Sequence, residues 1–369
     1  MQTLDEIIHQ RRLRDTLSMF TLDVMHSEDG PTIIEVGEPG CATTPDMDRA
    51  LAVALHRDAF NPRGKPVIII QNEVCIRQPD RGLVRTLVDD GVFSREKKGQ
   101  IHSVSFDTYN RIIVDRANTQ SNRGDVTSRD PNKTIAVNSP FFNQLSRGKF
   151  LALYCLTNVF SPETGYFGKK FPLGDSFHRF VGKDVVLKSS VGARSVGIRY
   201  VDGCSLDKVR TELGEFKVTP AEWPGLIEGS EFHDRLNGNY FPDIIQQRVK
   251  SVKIRSEYNT RRLHETVDRV AVLVSSNNGG ISVEYLGGFH RFRITSPGQK
   301  PVNRPLSINL GTAFPENLTP KQHNEMQDFV QGAIPAMYRN ALSFPPMFYQ
   351  DGPDVVGGQP VDFSRYLAA

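Results

Sequence analysis

The sequence predicts an α+β protein: an α/β N-terminal part, a β-rich middle with a β-meander, and a C-terminal helix with an extended tail. Three observations carry this reading. Apolar residues recur at helical spacing near both ends of the chain, at Met47, Ala50, Leu51, Ala54 and Leu55 and again from Met326 to Met337. Short apolar runs bounded by turn residues fill the middle. Asn277-Asn278-Gly279-Gly280 stands between two β-branched runs, and Asn-Gly is a strong hairpin signal because both residues accept positive φ.

Taken in order, Thr3 and Glu6 stand at capping-box spacing ahead of a first helix whose Leu4, Ile7 and Ile8 share a face. Leu17–Val24 and Thr32–Val36 read as strands split by a turn at Asp29-Gly30-Pro31. A second helix opens at Thr44-Pro45, with proline at the favoured first position. Pro66–Ile70 is a strongly apolar strand that belongs in the centre of a sheet. Residues 118–133 are polar and aperiodic, the signature of a long exposed loop. Phe141–Val159 includes a helix. Val270–Val274 and Ile281–Tyr285 form the hairpin, and Phe289–Ile294 is expected to return as a third strand after Gly287-Gly288. Thr319, Pro320 and Gln322 open the last helix. Its stripe is Met326, Phe329, Val330, Ala333, Ile334 and Met337, with a kink expected at Pro335.

These elements suggest an α/β region over 1–117, the exposed loop 118–133, a basic α+β body with the C-terminal helix over 134–343, and a Pro/Gly-rich acidic tail over 344–369. At 38% hydrophobic and 24% charged, the chain has the make-up of a folded domain rather than a disordered one. No apolar stretch approaches the roughly 20 residues a membrane helix needs. The first residues lack the basic-then-apolar plan of a secretory signal, so the chain is expected in the cytoplasm, or in an assembled particle if viral. Cys41, Cys75, Cys155 and Cys204 form no CxxC pair, and are read as reduced, buried small apolar residues.

Charge is segregated along the chain. Residues 1–60 hold eleven acids and five bases, and residues 311–369 hold six acids and three bases. The middle, 61–310, carries a surplus of +12 within a total of +3. The densest basic stretch runs from Lys250 to Arg269 and includes Lys253, Arg255, Arg261 and Arg262 with Tyr258 among them. Bases interleaved with an aromatic suit a phosphate backbone, and equally suit an acidic subunit contact. The tetrapeptide FHRF occurs at 177–180 and at 289–292, but the flanks differ and no internal repeat follows. In the second copy, strand alternation puts Phe289, Arg291 and Arg293 on one face and His290, Phe292 and Ile294 on the other. Those arginines either track phosphates or keep an edge strand soluble.

Signatures of chemistry are sparse. No phosphate-cradling GxxxxGK[ST], no HExxH and no GxSxG occurs, and the Gly-Gly pairs lack the strand-then-helix setting of a dinucleotide site. The sole tryptophan, Trp223, reads as a packing anchor beside a turn. A strand with Asp23, the helix at 46–57, the strand at 66–70 and then Asp115 loosely resemble the order in integrase-like nucleases. That resemblance implies carboxylates holding two metal ions for phosphodiester cleavage. The chain departs from it in two places, because Glu73 stands where an aspartate is expected and Asp115 where the final glutamate is.

The expectation that follows is a non-enzymatic structural or assembly subunit, such as a component of a viral, phage-like particle. It would use its basic body and acidic ends for self-association or contact with other protein subunits. The alternative is a nucleic-acid-binding protein, as far as a degenerate metal-dependent nuclease. The contact residues expected for either are Lys250, Lys253, Arg255, Arg261, Arg262, Arg291 and Arg293. No catalytic residue, metal ligand or cofactor is named by the sequence, and no membrane partner.

Overall fold

The computed structural model of the chain describes residues 16–37, 45–55, 67–71, 101–105, 135–137, 149–156, 159–167, 174–189, 197–220, 225–255, 263–277, 280–293 and 313–342. The first helix expected near Leu4, the loop 118–133, Cys41, Cys75, Trp223 and the tail from 344 lie outside the described residues.

Strand alternation organises the central sheet. β1 (Thr16–Ser27) and β2 (Gly30–Gly37) form the hairpin expected around Asp29-Gly30-Pro31. Gly30 turns it at φ +115°, a backbone region that side chains rarely adopt. Along β1, Phe20, Leu22 and Val24 point to one face while Met19, Thr21 and Asp23 point to the other. β1 pairs antiparallel with β11 (Leu263–Asn277), placing Phe20 opposite Val272, Leu22 opposite Val270 and Asp23 opposite Arg269.

The hairpin at 277–280 forms as expected and leads into β12 (Gly280–Arg293). The glycine pair 287–288 does not turn the chain. β12 instead takes up one extra residue between the Val272–Tyr285 and Ala271–Gly287 pairs, with Gly287 at φ +124°. The glycines therefore build a bulge rather than a bend. The third strand of the meander is β13 (Ala313–Asn317), antiparallel to β12. β12 is thus flanked on both sides, and the edge-strand reading of its arginines is corrected.

Beyond β1 the same sheet continues in parallel. β3 (Val67–Gln71) lies between β4 (Ile101–Ser105) and β5 (Ile135–Val137), central as its apolar run implied. β5 meets β1 at Leu17–Val137, giving the order β13-β12-β11-β1-β5-β3-β4, with β2 on β1. β10 (Lys253–Arg255) pairs with the start of β11. The α+β fold class is borne out.

Helices cover both faces. α1 (Pro45–Leu55) begins at the expected proline and buries Met47, Leu51 and Ala54, with Met47 close to the Gly287 bulge. On the other face, α2 (Lys149–Leu156) and α5 (Pro320–Leu342) pack on Phe20, Leu22, Val24, Val270, Val272 and Val274. Each such apolar side chain contributes about 1.5–3 kcal/mol when fully buried. At the start of α5 the Thr319 N–H donates to Gln322 Oε1 at 2.9 Å, and Thr319 Oγ1 accepts from Gln322 N–H at 3.4 Å. The helix runs through Pro335, and Met326, Val330, Ala333, Ile334 and Met337 are buried. Phe329 lies at the margin of that stripe, edge-on to Phe160 at 5.8 Å.

A smaller antiparallel sheet has the order β6 (Thr164–Tyr166), β9 (Ile244–Gln247), β7 (Val185–Lys188), β8 (Arg199–Val201). Two helices accompany it, α3 (Leu206–Gly214) and α4 (Glu231–Tyr240), capped by Ser205 and Ser230 through their hydroxyls. The first FHRF copy lies in a 3-10 helix, Gly174–Phe180, where Phe177 and Phe180 enter the core and His178 and Arg179 stay outside. The second copy lies in β12, so the shared tetrapeptide is no structural repeat. Cys155 and Cys204 are free, buried thiols, as expected. Among the described residues, no helix is long and apolar enough to cross a membrane.

Candidate functional site

Of the contact residues expected from sequence, Lys250, Lys253 and Arg255 are exposed whereas Arg291 is buried, so these four do not share one surface. Lys253 and Arg255 are exposed on β10, on the same side of the strand by alternation, and neither has an ion-pair partner among the described residues. Lys250 precedes them and lies 3.8 Å from Asp184 with its side chain 86% exposed, a contact that solvent screens. Arg261 and Arg262 fall outside the described residues, as do Glu73 and Asp115. Arg293 occupies β12 opposite Ala313. Arg291 is not on a surface at all: it is buried inside the central sheet.

What Arg291 joins is a charged cluster on the Met19–Thr21–Asp23 face of the sheet. Arg269 holds Asp23 in a two-pronged pair, with Nε on Oδ1 and an Nη on Oδ2, both at 2.8 Å. Arg291 approaches Oδ1 at 3.5 Å. Burial alone would raise the Asp23 carboxyl, but the two guanidiniums outweigh it and hold the pKa below the ordinary value. Burial, with Arg269 beside it, brings Arg291 down to about 10. The arrangement bears directly on the nuclease resemblance. Both oxygens of Asp23 are engaged by arginine, so this carboxylate is not presented as a metal ligand.

The second sheet supplies a lysine to the same cluster. At Glu35, β2 carries a one-residue bulge: Asp23 pairs with Glu35 and Val24 with Ile33, leaving Ile34 unmatched. Lys188, the last residue of β7, donates to the Ile34 carbonyl at 3.0 Å and to Gln246 Oε1 at 2.8 Å. Lys188 is buried, and that burial brings its amine down to about 8. Lys149, at the first position of α2, pairs with Glu35 at 3.1 Å. Glu35 is 36% exposed and marks where the cluster meets solvent. Lys149, Lys188, Arg269 and Arg291 thus gather around the carboxylates of Asp23 and Glu35.

A second cluster occupies the opposite face of the same strands. Asp268 is 0% exposed, and each of its oxygens accepts from a histidine: His26 Nε2–H at 2.7 Å and His290 Nδ1–H at 2.5 Å. The hydrogen bond to Asp268 raises the His26 pKa against the effect of its burial. Burial would raise Asp268, and the two histidine bonds reverse that and lower it. Nearby, Tyr285 and His323 share a hydrogen bond of 2.6 Å between β12 and α5.

Lys188, Glu35, Lys149, His26, Asp268 and His290 were not named as site residues from sequence. A signal existed for some of them. Val185-Val186-Leu187 ends in a lysine, and Val267-Asp268-Arg269-Val270 inserts two charges into an apolar strand. Charges inside runs that must be buried need partners, and that is where partners should have been sought.

No family model matches this chain, and no curated protein sequence does. A crystal structure of D-alanine--D-alanine ligase from Bacillus anthracis is similar over 78% of this chain and 100% of that chain, at 10% identity and a TM-score of 0.27.

Proposed function

We propose that this protein binds an anionic small molecule, bearing phosphate, sulfate or carboxylate groups, between its two sheets. The observation that carries the reading is the gathering of four cations, Lys149, Lys188, Arg269 and Arg291, around Asp23 and Glu35, with Lys188 and Arg291 buried. An anion entering beside Glu35 would meet this concentration of positive charge in a setting where solvent screens it little. Lys188 strengthens the reading. Its amine is drawn down by burial yet stays largely protonated at neutral pH, so it contributes a positive charge that an incoming anion restores to full ionisation.

Titration calorimetry with sulfate and with pyrophosphate at low salt tests this. The wild-type chain should bind, and Lys188→Met, which keeps the volume and removes the charge, should weaken binding by at least about tenfold. Asp23→Asn should tighten binding by removing a competing carboxylate. A nuclease built on Asp23 would instead lose metal-dependent cleavage in that variant. Equal affinity in wild type and Lys188→Met, or no binding by the wild type, sinks the proposal.

A second reading rests on a different observation, the exposed bases Lys250, Lys253 and Arg255 at β10. These suit an acidic partner, and the acidic ends of a second copy are one, so the assembly role stands as a proposal beside ligand binding. Charge-reversing Lys253 and Arg255 to Glu should shift light-scattering mass toward monomer if that edge is a subunit contact. A salt-sensitive loss of oligonucleotide binding in the same variant would assign the edge to nucleic acid.

A further inference from the structure

We propose that the His26–Asp268–His290 cluster is a proton switch that tunes anion binding on the opposite face of the sheet. The proposal rests on the anion-site reading above and adds its regulation. The two clusters share one backbone: Asp268 and Arg269 are consecutive in β11, and His290 and Arg291 are consecutive in β12. In β1, His26 follows Asp23 by three residues, across the bulge. Alternation sends each neighbour to the other face, so the sheet itself is the only layer between the histidines and the arginines.

The groups facing Asp268 come from every element around it. β1 gives His26 and β12 gives His290. β13 gives Glu316, buried and opposite His290 in register. α5 contributes Glu325, whose charge acts on His26, and His323, bonded to Tyr285. From β10's side, Val252 N–H donates to the His26 carbonyl, fixing the end of β1. Across the sheet stand Arg269, Arg291 and Asp23. Loss of the His26 proton takes one positive charge from the cluster around Asp268, so the potential behind the two arginines becomes more negative. An anion on the arginine face is then held less tightly. The hydrogen bond to Asp268 raises the His26 pKa from its ordinary value.

Sulfate is the probe, because its charge is constant across the range used. In calorimetry from about pH 5.5 to about pH 7.5, wild-type affinity should fall about threefold or more as pH rises. His26→Gln, which keeps an N–H donor for Asp268, should flatten that profile. Asp268→Asn should flatten it and bind more tightly throughout. A profile in His26→Gln that falls as the wild type's does overturns the switch while leaving the anion site standing. A wild-type chain that binds no sulfate at any pH overturns the site and the switch together. Should the variants fail to fold, wild-type NMR decides, because linkage requires sulfate to raise the His26 pKa. An unmoved His26 titration with sulfate bound refutes the proposal.

Discussion

The carboxylates at the centre of the two charged clusters differ in one respect that matters: the strand partners of one have a neutral form within reach and those of the other do not. Asp23 is held by arginines, which keep their charge at any ordinary pH. Asp268 is held by histidines, which do not. The same three strands therefore carry a fixed ion-pair set, Asp23 with Arg269 and Arg291, on one face and a titratable one on the other. Both carboxyls are held below their ordinary value against the effect of burial, but only the partners of Asp268 have a neutral form within reach.

The largest effect expected from this difference belongs to Asp23→Ala. Removing the carboxylate takes away the charge that Arg269 and Arg291 share in the sheet, a loss of about 3–5 kcal/mol in denaturant titration. The loss should be nearly constant across neutral pH, and added sulfate should recover part of it through binding to the folded state. Asp268→Ala should cost less, about 1–3 kcal/mol, because its histidines can become neutral. Sulfate should not rescue it. Equal losses, or equal rescue, would erase the contrast between the faces.

The pH dependence sharpens the comparison further. A raised His26 pKa contributes stability that is fully present below the ordinary value of 6.5 and is lost as pH rises through the higher folded value. A lowered Asp268 pKa contributes stability present above 3.8 and lost as pH falls through the lower folded value. The histidine cluster is thus most stabilising between those limits. His26→Gln should remove the alkaline decline and leave the acid one, measured as unfolding free energy against pH. An unchanged alkaline limb would assign that decline to another group.

The smallest effect concerns a position away from both clusters. Phe329 sits at the edge of the α5 stripe, against Phe160. Phe329→Ala should cost about 1–2 kcal/mol, below the 3–5 typical of a fully buried ring. A larger loss would mean that the ring contributes to the shared core as fully as Val330 or Ile334 do.

Much of the architecture was legible because it rests on period and punctuation. The 29–31 turn, the proline start of α1, the central strand at 67–71 and the capping box at Thr319 all follow from local chemistry. Gly287-Gly288 misled because a glycine pair signals unusual backbone, and a bulge satisfies that signal as well as a turn. The site was far less legible. Lys188 and Ile34 lie 154 positions apart, and Asp23 and Arg291 lie 268 apart. No window of sequence contains both partners, so only the folded sheet shows that Arg291 faces a carboxylate rather than a solvent-exposed polyanion.

The pairing of β1 with β11 also governs when the protein can be made. Nine residues of β1, from Thr16 to Val24, find their β11 partners only between Asp268 and Ser276. The β2 hairpin covers the other edge from Thr21 onward as soon as Gly37 is made, but almost three-quarters of the chain must leave the ribosome before the β11 edge is paired. Until then that edge and the apolar Phe20, Leu22 and Val24 await β11, and a like strand from another nascent chain would serve equally well. Closing so long a loop makes this step slow in any refolding from denaturant, since the loop entropy is lost before the sheet is gained. The joint that places two charged sites back to back is thus also the joint the growing chain must guard longest.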